Sequence, residues 1–504
     1  MSDFRELPDL ASALTGGAAL HCTDDFFASM DNLLKPEKAI FIEGKYTDRG
    51  KWMDGWESRR KRVPGHDFCI LRLGMPGIVR GVVVDTAFFR GNYPSACSIE
   101  GVSLHGNPDV EALLSPELEW TELLPRVDLS GDSSIPFEVH VPRRVTHLRF
   151  HIHPDGGVAR LRVHGEVQRS PKVFARPELD LASIENGARV VACNDMFFGS
   201  RHNLIMPNRA SHMGDGWETK RSRRPGPDWV IVQLAGAGAV HRALVDTLHF
   251  RGNAPSSCSL EVCDAGGQDP ELLPESGWTE LLPRTRLLAH TQHEFEDELS
   301  AHPPATHVRM RIWPDGGVSR LRLFGALTEE SRERAGLAYL ASLSARDREA
   351  ALLQCCGSRA WAAAMAMAAC PFASLAAMKE TGRALWRGLS REDWDEAFRA
   401  HPELGGKKAE GPQSESARRW SEREQSRVGS APAETLERLA RANAGYRERF
   451  GRIYIACATG KSAEELLALA ETRLTLDPEA ELEVAAREQQ KITDLRIDKL
   501  IFGR

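Results

Sequence analysis

A nine-residue phrase that occurs twice places the strongest constraint on the fold of this chain. DGWESRRKR begins at Asp54, and the closely similar DGWETKRSR begins at Asp215, 161 positions later. Three further pairs of segments recur at offsets of 158 to 161 positions. They are GVVVDTAFFRGNYPSACSIE (81–100) with RALVDTLHFRGNAPSSCSLE (242–261), WTELLPR (120–126 and 278–284), and THLRFHIHPDGGVARLRVHG (146–165) with THVRMRIWPDGGVSRLRLFG (306–325). Such a period is the size of a domain and far exceeds a solenoid unit, so the sequence predicts tandem duplication of a whole domain.

The two copies differ in length upstream of the phrase. Cys22 to Phe27 match Cys193 to Phe198 at an offset of 171 positions, whereas the phrase itself recurs at 161. The first copy therefore carries about ten extra residues before Asp54.

Length and charge limit the class of protein. A chain of 504 residues exceeds what one hydrophobic core usually supports, so we expect two to four domains. A net charge of −6 argues against a dedicated nucleic-acid binder, which usually carries a basic excess. The ten cysteines are scattered and contain no CxxC pair, which favours neither a metal site nor a disulfide framework. A reducing, cytoplasmic location is the best fit.

One alanine-rich stretch has the length of a membrane span. Residues 360–378 read AWAAAMAMAACPFASLAAM. Alanine is weakly apolar and Pro371 interrupts the run, so we predict a buried helix followed by a break, with no membrane association. The N-terminus lacks the apolar core of a secretory signal.

Each copy shows the alternation of a β-sandwich. Leu148, Phe150 and Ile152 alternate with polar residues, and the turn sequence PDGG then precedes a second alternating run. WVIVQL (229–234) and the segment RALVDTLHF, which begins at Arg242, are typical of further strands. We therefore predict one all-β sandwich per copy, at 15–185 and 186–327.

The pattern becomes helical after about Leu327. Apolar residues follow a helical spacing from Trp394 to His401 and from Leu436 to Tyr446, and another stripe lies between Pro478 and Leu500. We predict an all-α domain at 335–502, with a polar loop at 405–416.

The repeated phrase is the first candidate site. Its carboxylates are Asp54, Glu57, Asp215 and Glu218. With neighbours such as Arg59 and Arg221, they suit acid–base chemistry on a small anionic substrate whose carboxylate a guanidinium binds. A solvated, salt-bridged loop that duplication copied passively explains the same residues, and the residues alone leave both interpretations open.

The segment DTxxFRGN is a second candidate. Its polar residues are Asp85, Asn92, Asp246 and Asn253. Polar groups where a strand ends lie at a loop rim, where sites on sandwiches are common. A structural turn, in which Asp or Asn caps its own backbone, is the alternative.

Four histidines of the first copy are possible metal ligands. They are His147, His151, His153 and His164. Only His147 recurs, as His307, and alternating histidines on a strand are more often simply exposed, so we predict no metal site.

The repeated motifs carry a family resemblance. DGWE[ST]xR, DTxxFxGNxP, WTELLPR and PDGGxxRLRxxG, each present twice, resemble the allantoicase family over residues 15–327. The resemblance implies two tandem jelly-roll-like sandwiches that hydrolyse allantoate to ureidoglycolate and urea. As a hypothesis, it gives catalytic roles to Asp54, Glu57, Asp215 and Glu218, and substrate contacts to Arg59, Arg221, Asp85, Asn92, Asp246 and Asn253. A carbohydrate-type binding module is the alternative for this half.

The helical part contains its own candidate residues. His401 ends an apolar stripe before Pro402, which disfavours helix at the preceding residue. A satisfied core histidine is the plainer interpretation. Ser421 and Glu424 lie three residues apart, a spacing that also describes a capping box at a helix start.

These stretches resemble a second family. PF at 371, HPELG at 401, SxxEQ at 421, NxxYxxxFG at 443, ATGKSAEELL at 458 and KITDLR at 491 occur in the order seen in OHCU decarboxylases. OHCU is 2-oxo-4-hydroxy-4-carboxy-5-ureidoimidazoline, and the resemblance covers about 335–502. It implies a cofactor-free, all-α enzyme that forms (S)-allantoin. Catalytic roles fall on His401 and Glu424, and substrate contacts on Pro402, Ser421, Gln425 and Arg496.

The chemistry agrees with the lack of a cofactor motif. Loss of CO₂ leaves a carbanion that the ring of the substrate stabilises, so no separate electron sink is required. Together the resemblances predict a bifunctional enzyme of purine catabolism, with two tandem all-β sandwiches and an all-α domain. Its expected partners are allantoate and OHCU, with neither nucleic acid nor membrane, and a homo-oligomer stays open.

Overall fold

The computed structural model describes residues 3–223, 225–368, 370–404, 414–425 and 431–504. The chain divides into two compact units. One contains the β-rich part up to Arg332, and the other contains the helices from Glu333 onward together with Pro171–Ala175.

A 19-residue strand, Asp67–Asp85, organises the first sandwich. Its first half pairs with Ala18–Cys22 and Arg144–His153, and its second half pairs with Ser134–Glu138 and Arg160–Val167. The register shifts between Arg72 and Gly77, so one strand contributes to two groups of partners. The remaining strands are Tyr46–Thr47, Gly50–Lys51, Trp56–Glu57, Ala96–Val102, Thr121–Asp128 and Gly157–Val158.

The second sandwich repeats this plan. Asp228–Asp246 is again 19 residues long, with a register shift between Gln233 and Gly238. The sequence pattern predicted two separate strands here. The pairing continues through the glycine-rich middle because small residues allow the strand to shift register without ending. The remaining strands are Leu179–Asp180, Arg189–Cys193, Trp217–Glu218, Ser257–Cys263, Thr279–Arg286, Gln292–Phe295, Ala305–Trp313, Gly317–Val318 and Arg320–Leu327.

Two of the predicted domain limits fall inside a sandwich. Leu10, before the predicted start at 15, is fully buried, and the Asp9 carboxylate accepts a hydrogen bond from the Val163 amide at 3.0 Å. Leu179–Asp180, before the predicted limit at 185, pairs with the Arg320–Leu327 strand of the second sandwich. Both segments are short and show little alternation, so the sequence pattern did not indicate that they pair within the sandwiches. The two sandwiches also contact each other, because Glu6 forms an ion pair with Arg201 at 2.7 Å.

The second unit is helical. Its longer helices are Glu329–Ser342, which begins just before the unit, Ala345–Cys356, Arg359–Met367, Leu375–Arg387, Arg391–Arg399, Glu415–Glu424, Ala433–Phe450, Ala463–Arg473 and Pro478–Phe502. Serine or aspartate side chains cap most of their N-termini, as Ser358 caps the amide of Trp361. The alanine-rich stretch forms Arg359–Met367 and then breaks before Leu375–Arg387, as predicted. Among the described residues, no helix is long and apolar enough to cross a bilayer.

Two local predictions in this unit need comment. The capping-box interpretation of Ser421 is wrong, because Ser414 caps this helix and Ser421 lies in its last turns. The Ser421 hydroxyl instead donates to the Ala417 carbonyl at 3.0 Å. Most of the predicted loop at 405–416 lies outside the described residues, and Glu415 and Ser416 are helical.

Candidate functional sites

The first half of the repeated phrase is buried in both copies, whereas its basic second half is largely exposed. The solvated-loop interpretation is therefore wrong for Glu57 and Glu218 and fits only the cations that follow them. Trp56–Glu57 pairs with Gly157–Val158, and Trp217–Glu218 pairs with Gly317–Val318. Both tryptophans are fully buried. The Trp56 indole donates to the Asp24 carbonyl at 2.8 Å, and Trp217 makes the same bond to Asp195.

The glycines of the PDGG turn allow this close packing. A Cβ on Gly157 would lie 2.0 Å from the Phe89 ring, and one on Gly317 would lie 1.9 Å from the Phe250 ring. The phrase, the PDGG turn and the DTxxFRGN segment therefore meet in each copy.

At this meeting point a buried carboxylate contacts an amide. The Asn92 side chain donates to Glu57 at 2.6 Å, and Asn253 donates to Glu218 at 2.5 Å. Burial raises the pKa of Glu57, and the hydrogen bond from Asn92 only partly opposes this. A carboxylate in such a place is a better proton acceptor than an exposed one, which suits general-base chemistry.

Asp54 and Asp215 have a different environment. Arg160 is 2% exposed and donates to the Asp54 carboxylate at 2.8 Å and to its carbonyl at 3.0 Å. Burial favours a higher pKa for Asp54, but the hydrogen bond and charge of Arg160 outweigh it and leave that pKa below its usual value. In the second copy, Arg320 donates to the Asp215 carbonyl at 2.6 Å, and their charged groups lie 3.6 Å apart. These aspartates therefore hold buried arginines and, with them, the start of the phrase.

The remaining predicted residues lie around the pair. Asp85 and Asp246 accept hydrogen bonds from backbone amides two residues further on, each at 2.8 Å, which is the turn-capping interpretation. Arg59 is exposed and donates to Asp24 at 2.6 Å. Its counterpart by position is Lys220, which pairs with Asp195 at 3.0 Å, while Arg221 is exposed.

The surroundings of the pair differ between copies. The extra residues of the first copy form the hairpin Tyr46–Lys51, and its Arg49 donates to the Phe26 carbonyl at 3.1 Å. Phe197 and Phe198 of the second copy, which correspond to Phe26 and Phe27, are 70% and 62% exposed. The Phe198 amide donates to the Glu218 backbone carbonyl at 3.2 Å, so this open surface adjoins the backbone of the second glutamate.

The histidines of the first copy are less exposed than predicted. His147 is buried, and His151 is half-buried and contacts Glu100 at 2.9 Å and His66 at 2.8 Å. His147, His151 and His153 lie on the strand face opposite Leu148, Phe150 and Ile152, and neighbouring side chains such as Glu100 and His66 cover part of that face. Within the described residues, no group of three or more His, Cys, Asp or Glu side chains has the arrangement of a metal site.

A pocket in the helical unit is lined by five of the six residues predicted for this site. Its lining comprises His401, Pro402, Leu404, Ser421, Glu424, Gln425, Tyr454, Ile455, Ala456, Ala458, Thr459 and Ile492. His401 follows the Arg391–Arg399 helix, and its amide donates to the Phe398 carbonyl at 3.0 Å. The Gln425 side chain donates to the Pro402 carbonyl at 3.4 Å, which joins the two sequence motifs.

His401 is held neutral. It is buried, and its Nε2 accepts or donates no hydrogen bond within the described part of the chain. Burial lowers its pKa well below the usual value, and the charge of Arg496 lowers it further, while the Gln489 amide opposes the shift. The imidazole is therefore neutral at pH 7, and one of its ring nitrogens carries no proton, although the lowered pKa makes it a weaker base than an exposed histidine.

Arg496, on the Pro478–Phe502 helix, contacts two residues that line this pocket. It is 2% exposed and donates to Ser421 Oγ at 2.9 Å and to the Glu424 carboxylate at 2.9 and 3.2 Å. Lys499, one turn further on, donates to Glu424 at 2.7 Å. The structure thus brings His401, Glu424 and Arg496 together, as the sequence analysis expected.

Sequence reasoning missed the wall of this pocket and Lys499. The wall is the non-helical segment 454–459, which has no helical or strand periodicity. The position of Lys499 could have been predicted, because it lies three residues after Arg496 and therefore on the same face of the helix.

Comparisons with known proteins agree with both halves. The allantoicase repeat model matches residues 8–168 and 179–328, and the OHCU decarboxylase model matches 341–498. A probable allantoicase of Stutzerimonas stutzeri (strain A1501) is 48% identical over 329 residues, covering 65% of this chain and 98% of the relative.

Solved structures are similar to each part. The crystal structure of allantoicase from Saccharomyces cerevisiae is 32% identical, with a TM-score of 0.53, and the match covers 64% of this chain and 93% of that one. A crystal structure of OHCU decarboxylase in the presence of (S)-allantoin is 34% identical, with a TM-score of 0.26, over 30% of this chain and 96% of that one.

The tandem sandwiches and the helical pocket define an enzyme with two active parts. The chain belongs to the allantoicase family. It also contains an OHCU decarboxylase domain, and it is a bifunctional enzyme of purine catabolism. The carbohydrate-binding alternative for the first half is therefore set aside.

Proposed function

We propose that allantoate is hydrolysed at the carboxylate–amide pairs of the sandwiches, Glu57 with Asn92 and Glu218 with Asn253. The observation that carries this is a contact, repeated in both copies, between a buried glutamate and an asparagine of the DTxxFRGN segment, with the pKa of Glu57 raised by burial. The glutamate accepts a proton from water, the new C–O bond replaces the C–N bond to one ureido group, and that group leaves as urea after taking up the proton. The amide of the asparagine orients the carboxylate.

Other residues of the phrase support this chemistry in the proposal. Asp54 and Asp215 fix the start of the phrase through Arg160 and Arg320. The carboxylate of allantoate is assigned to the exposed cations that follow the phrase, Arg59 in the first copy and Arg221 in the second, since guanidinium binds carboxylate with two hydrogen bonds. Asp85 and Asp246 shape the adjacent turn.

Matched glutamate variants test the first site. Glu57→Gln and Glu218→Gln are compared with Glu117→Gln, an exposed glutamate of the first copy. We expect urea release from allantoate to fall in the single variants and to be lowest in the double variant, while Glu117→Gln retains it. Full activity in the double variant would show that the pairs are structural only.

The helical pocket is assigned to OHCU. Arg496 binds the substrate carboxylate, and Ser421, Gln425 and Pro402 contact the ring substituents. As CO₂ leaves, the electrons of the broken C–C bond enter the ring. In the net reaction, one proton is taken up in place of the lost carboxylate. Neutral His401 accepts the proton of the 4-hydroxyl group and returns a proton to the ring carbon, while Glu424 holds the hydroxyl by hydrogen bonding.

Glutamate variants on one helix test the second site. Glu424→Gln is compared with Glu422→Gln, an exposed neighbour on the same helix. Freshly generated OHCU is converted to (S)-allantoin, which circular dichroism distinguishes from the racemate. Only Glu424→Gln is expected to lower the rate, and equal rates in both variants would contradict the assignment.

The proposal also includes the cellular location and the partners of the enzyme. All ten cysteines are free thiols, which supports the reducing cytoplasm. The net charge of −6 favours no nucleic-acid partner. The substrates are small molecules, no membrane partner is proposed, and a homo-oligomer is compatible with them.

A further inference from the structure

One carboxylate in the helical pocket is held by two cations. Lys499 Nζ and Arg496 Nε donate to Glu424 Oε1 at 2.7 and 3.2 Å, and Arg496 Nη2 donates to Oε2 at 2.9 Å. Lys499 and Arg496 lie three residues apart on the Pro478–Phe502 helix and therefore reach the same side.

The burial of these groups makes their charge balance important. The Arg496 side chain is 2% exposed, that of Glu424 is 10% exposed, and that of Lys499 is 22% exposed. Arg496 alone would balance Glu424 in the empty pocket. A second cation becomes necessary only when a second anion enters, because a buried carboxylate without a partner is costly.

The proposed substrate supplies that second anion. OHCU carries a carboxylate, and Arg496 is the guanidinium that receives it. As Arg496 turns toward the substrate, it loses contacts with Glu424. Two anions would then share one cation unless Lys499 kept its bond to Glu424.

We propose that Lys499 is a positioning residue, which holds the Glu424 carboxylate in place while Arg496 binds the carboxylate of the substrate. The inference rests on the proposed decarboxylase function of this pocket. Lys499 acts through Glu424 and does not touch the reacting atoms. No other lysine or arginine of the described residues forms an ion pair with Glu424.

Other groups near Glu424 do not replace Lys499. His401 faces the same pocket and is neutral, because burial and Arg496 lower its pKa. Cys355 and Cys457 lie within electrostatic range, and burial raises the pKa of each thiol, so they contribute no positive charge. Ser421 supplies a hydroxyl only.

Two variants of Lys499 and one control test the role. Lys499→Gln retains a hydrogen-bond donor and removes the charge, whereas Lys499→Arg retains the charge. Arg487→Gln removes a cation from an exposed position on the same helix. The full chain is used throughout, and thermal unfolding is followed by circular dichroism to compare the folded state of each variant.

The expected kinetic pattern separates positioning from substrate binding. A hydrogen bond to a charged group corresponds to roughly 10- to 100-fold in an equilibrium or rate. Lys499→Gln should therefore lower kcat for OHCU by about that factor with a smaller change in KM, and Lys499→Arg should restore most of it. Arg487→Gln should behave like the wild type.

A double-mutant comparison asks whether Lys499 acts through Glu424. In the Glu424→Gln background, Lys499→Gln should cause little further loss, because the interaction is already gone. Independent, multiplicative losses would overturn the proposal, as would an unchanged kcat in Lys499→Gln or no rescue by arginine. An inactive wild type would instead refute the proposed decarboxylase function, so the two failures are distinguishable.

Discussion

Replacing His401 with leucine should separate the chemical role of this residue from packing. The imidazole is buried and has no hydrogen bond at Nε2 within the described residues, so its replacement removes only the hydrogen bond to Gln489. A general acid–base group typically contributes ~10²–10⁴-fold to a rate, and we expect His401→Leu to slow OHCU conversion by that factor. Allantoate hydrolysis should be retained, because its proposed site lies in the other compact unit.

The same variant should change how stability depends on pH. The pKa of His401 in the folded protein is lowered, so below the unfolded value of about 6.5 the unfolded chain binds a proton that the folded chain does not. His401 therefore lowers the free energy of unfolding as pH falls, by about 1.4 kcal/mol at one pH unit below 6.5. His401→Leu removes this loss.

Denaturant unfolding followed by far-ultraviolet circular dichroism measures the difference between about pH 7.5 and about pH 5.5. The helical unit dominates this signal, because the longer helices lie there. The leucine variant should lose less stability than the wild type over this range. A variant that is destabilised equally at both pH values and still converts OHCU would show that His401 is a packing residue.

Three further outcomes follow from the buried carboxylates. Glu57→Gln should raise the free energy of unfolding at pH 7, because the pKa of Glu57 is raised and its ionisation in the folded protein costs stability as pH rises. Denaturant titrations should show that this gain vanishes at lower pH, where Glu57 is protonated in both states. A gain that is independent of pH would contradict the prediction. Glu57→Gln should lower urea release in a urease-coupled assay, and an unchanged rate would contradict a catalytic role for the first copy. Glu481→Gln should cost about 3–5 kcal/mol of stability, because Glu481 is fully buried and binds Arg473 at 3.0 Å; a thermal midpoint within a degree or two of the wild type would refute this.

The sequence predicted the architecture because the signals were local and repeated. The alternation around Phe150 and the PDGG turn describe a hairpin by themselves, and the recurring offset shows that each copy has the same fold. The 19-residue strand of the second copy was divided in the prediction, because the glycine-rich residues 235–238 resemble a turn. Only the pairing partners, which are distant in sequence, show that the strand continues.

The two sites also differ in how much of each could be predicted from the sequence. His401, Glu424 and Arg496 could be named because short motifs surround each of them, and the structure brings them together. The burial of Glu57 and its contact with Asn92 could not be read from sequence, since 35 residues separate the partners and Glu57 is buried next to the packed Trp56. The segment 454–459 has no periodic pattern, so its place in the pocket depends on tertiary contacts such as the bond from Arg473 to the Ile455 carbonyl at 2.7 Å.

The unequal covering of the two carboxylate–amide pairs has a consequence for inhibitor selectivity. An allantoate analogue with a short hydrocarbon arm could cover Phe197 and Phe198, whereas the hairpin Tyr46–Lys51 leaves the corresponding Phe26 only 37% exposed. Burying about 60 Å² of apolar surface is worth roughly 1.5 kcal/mol, or about a tenfold preference for the second copy. Such a compound would distinguish between two sites that share the same reactive groups.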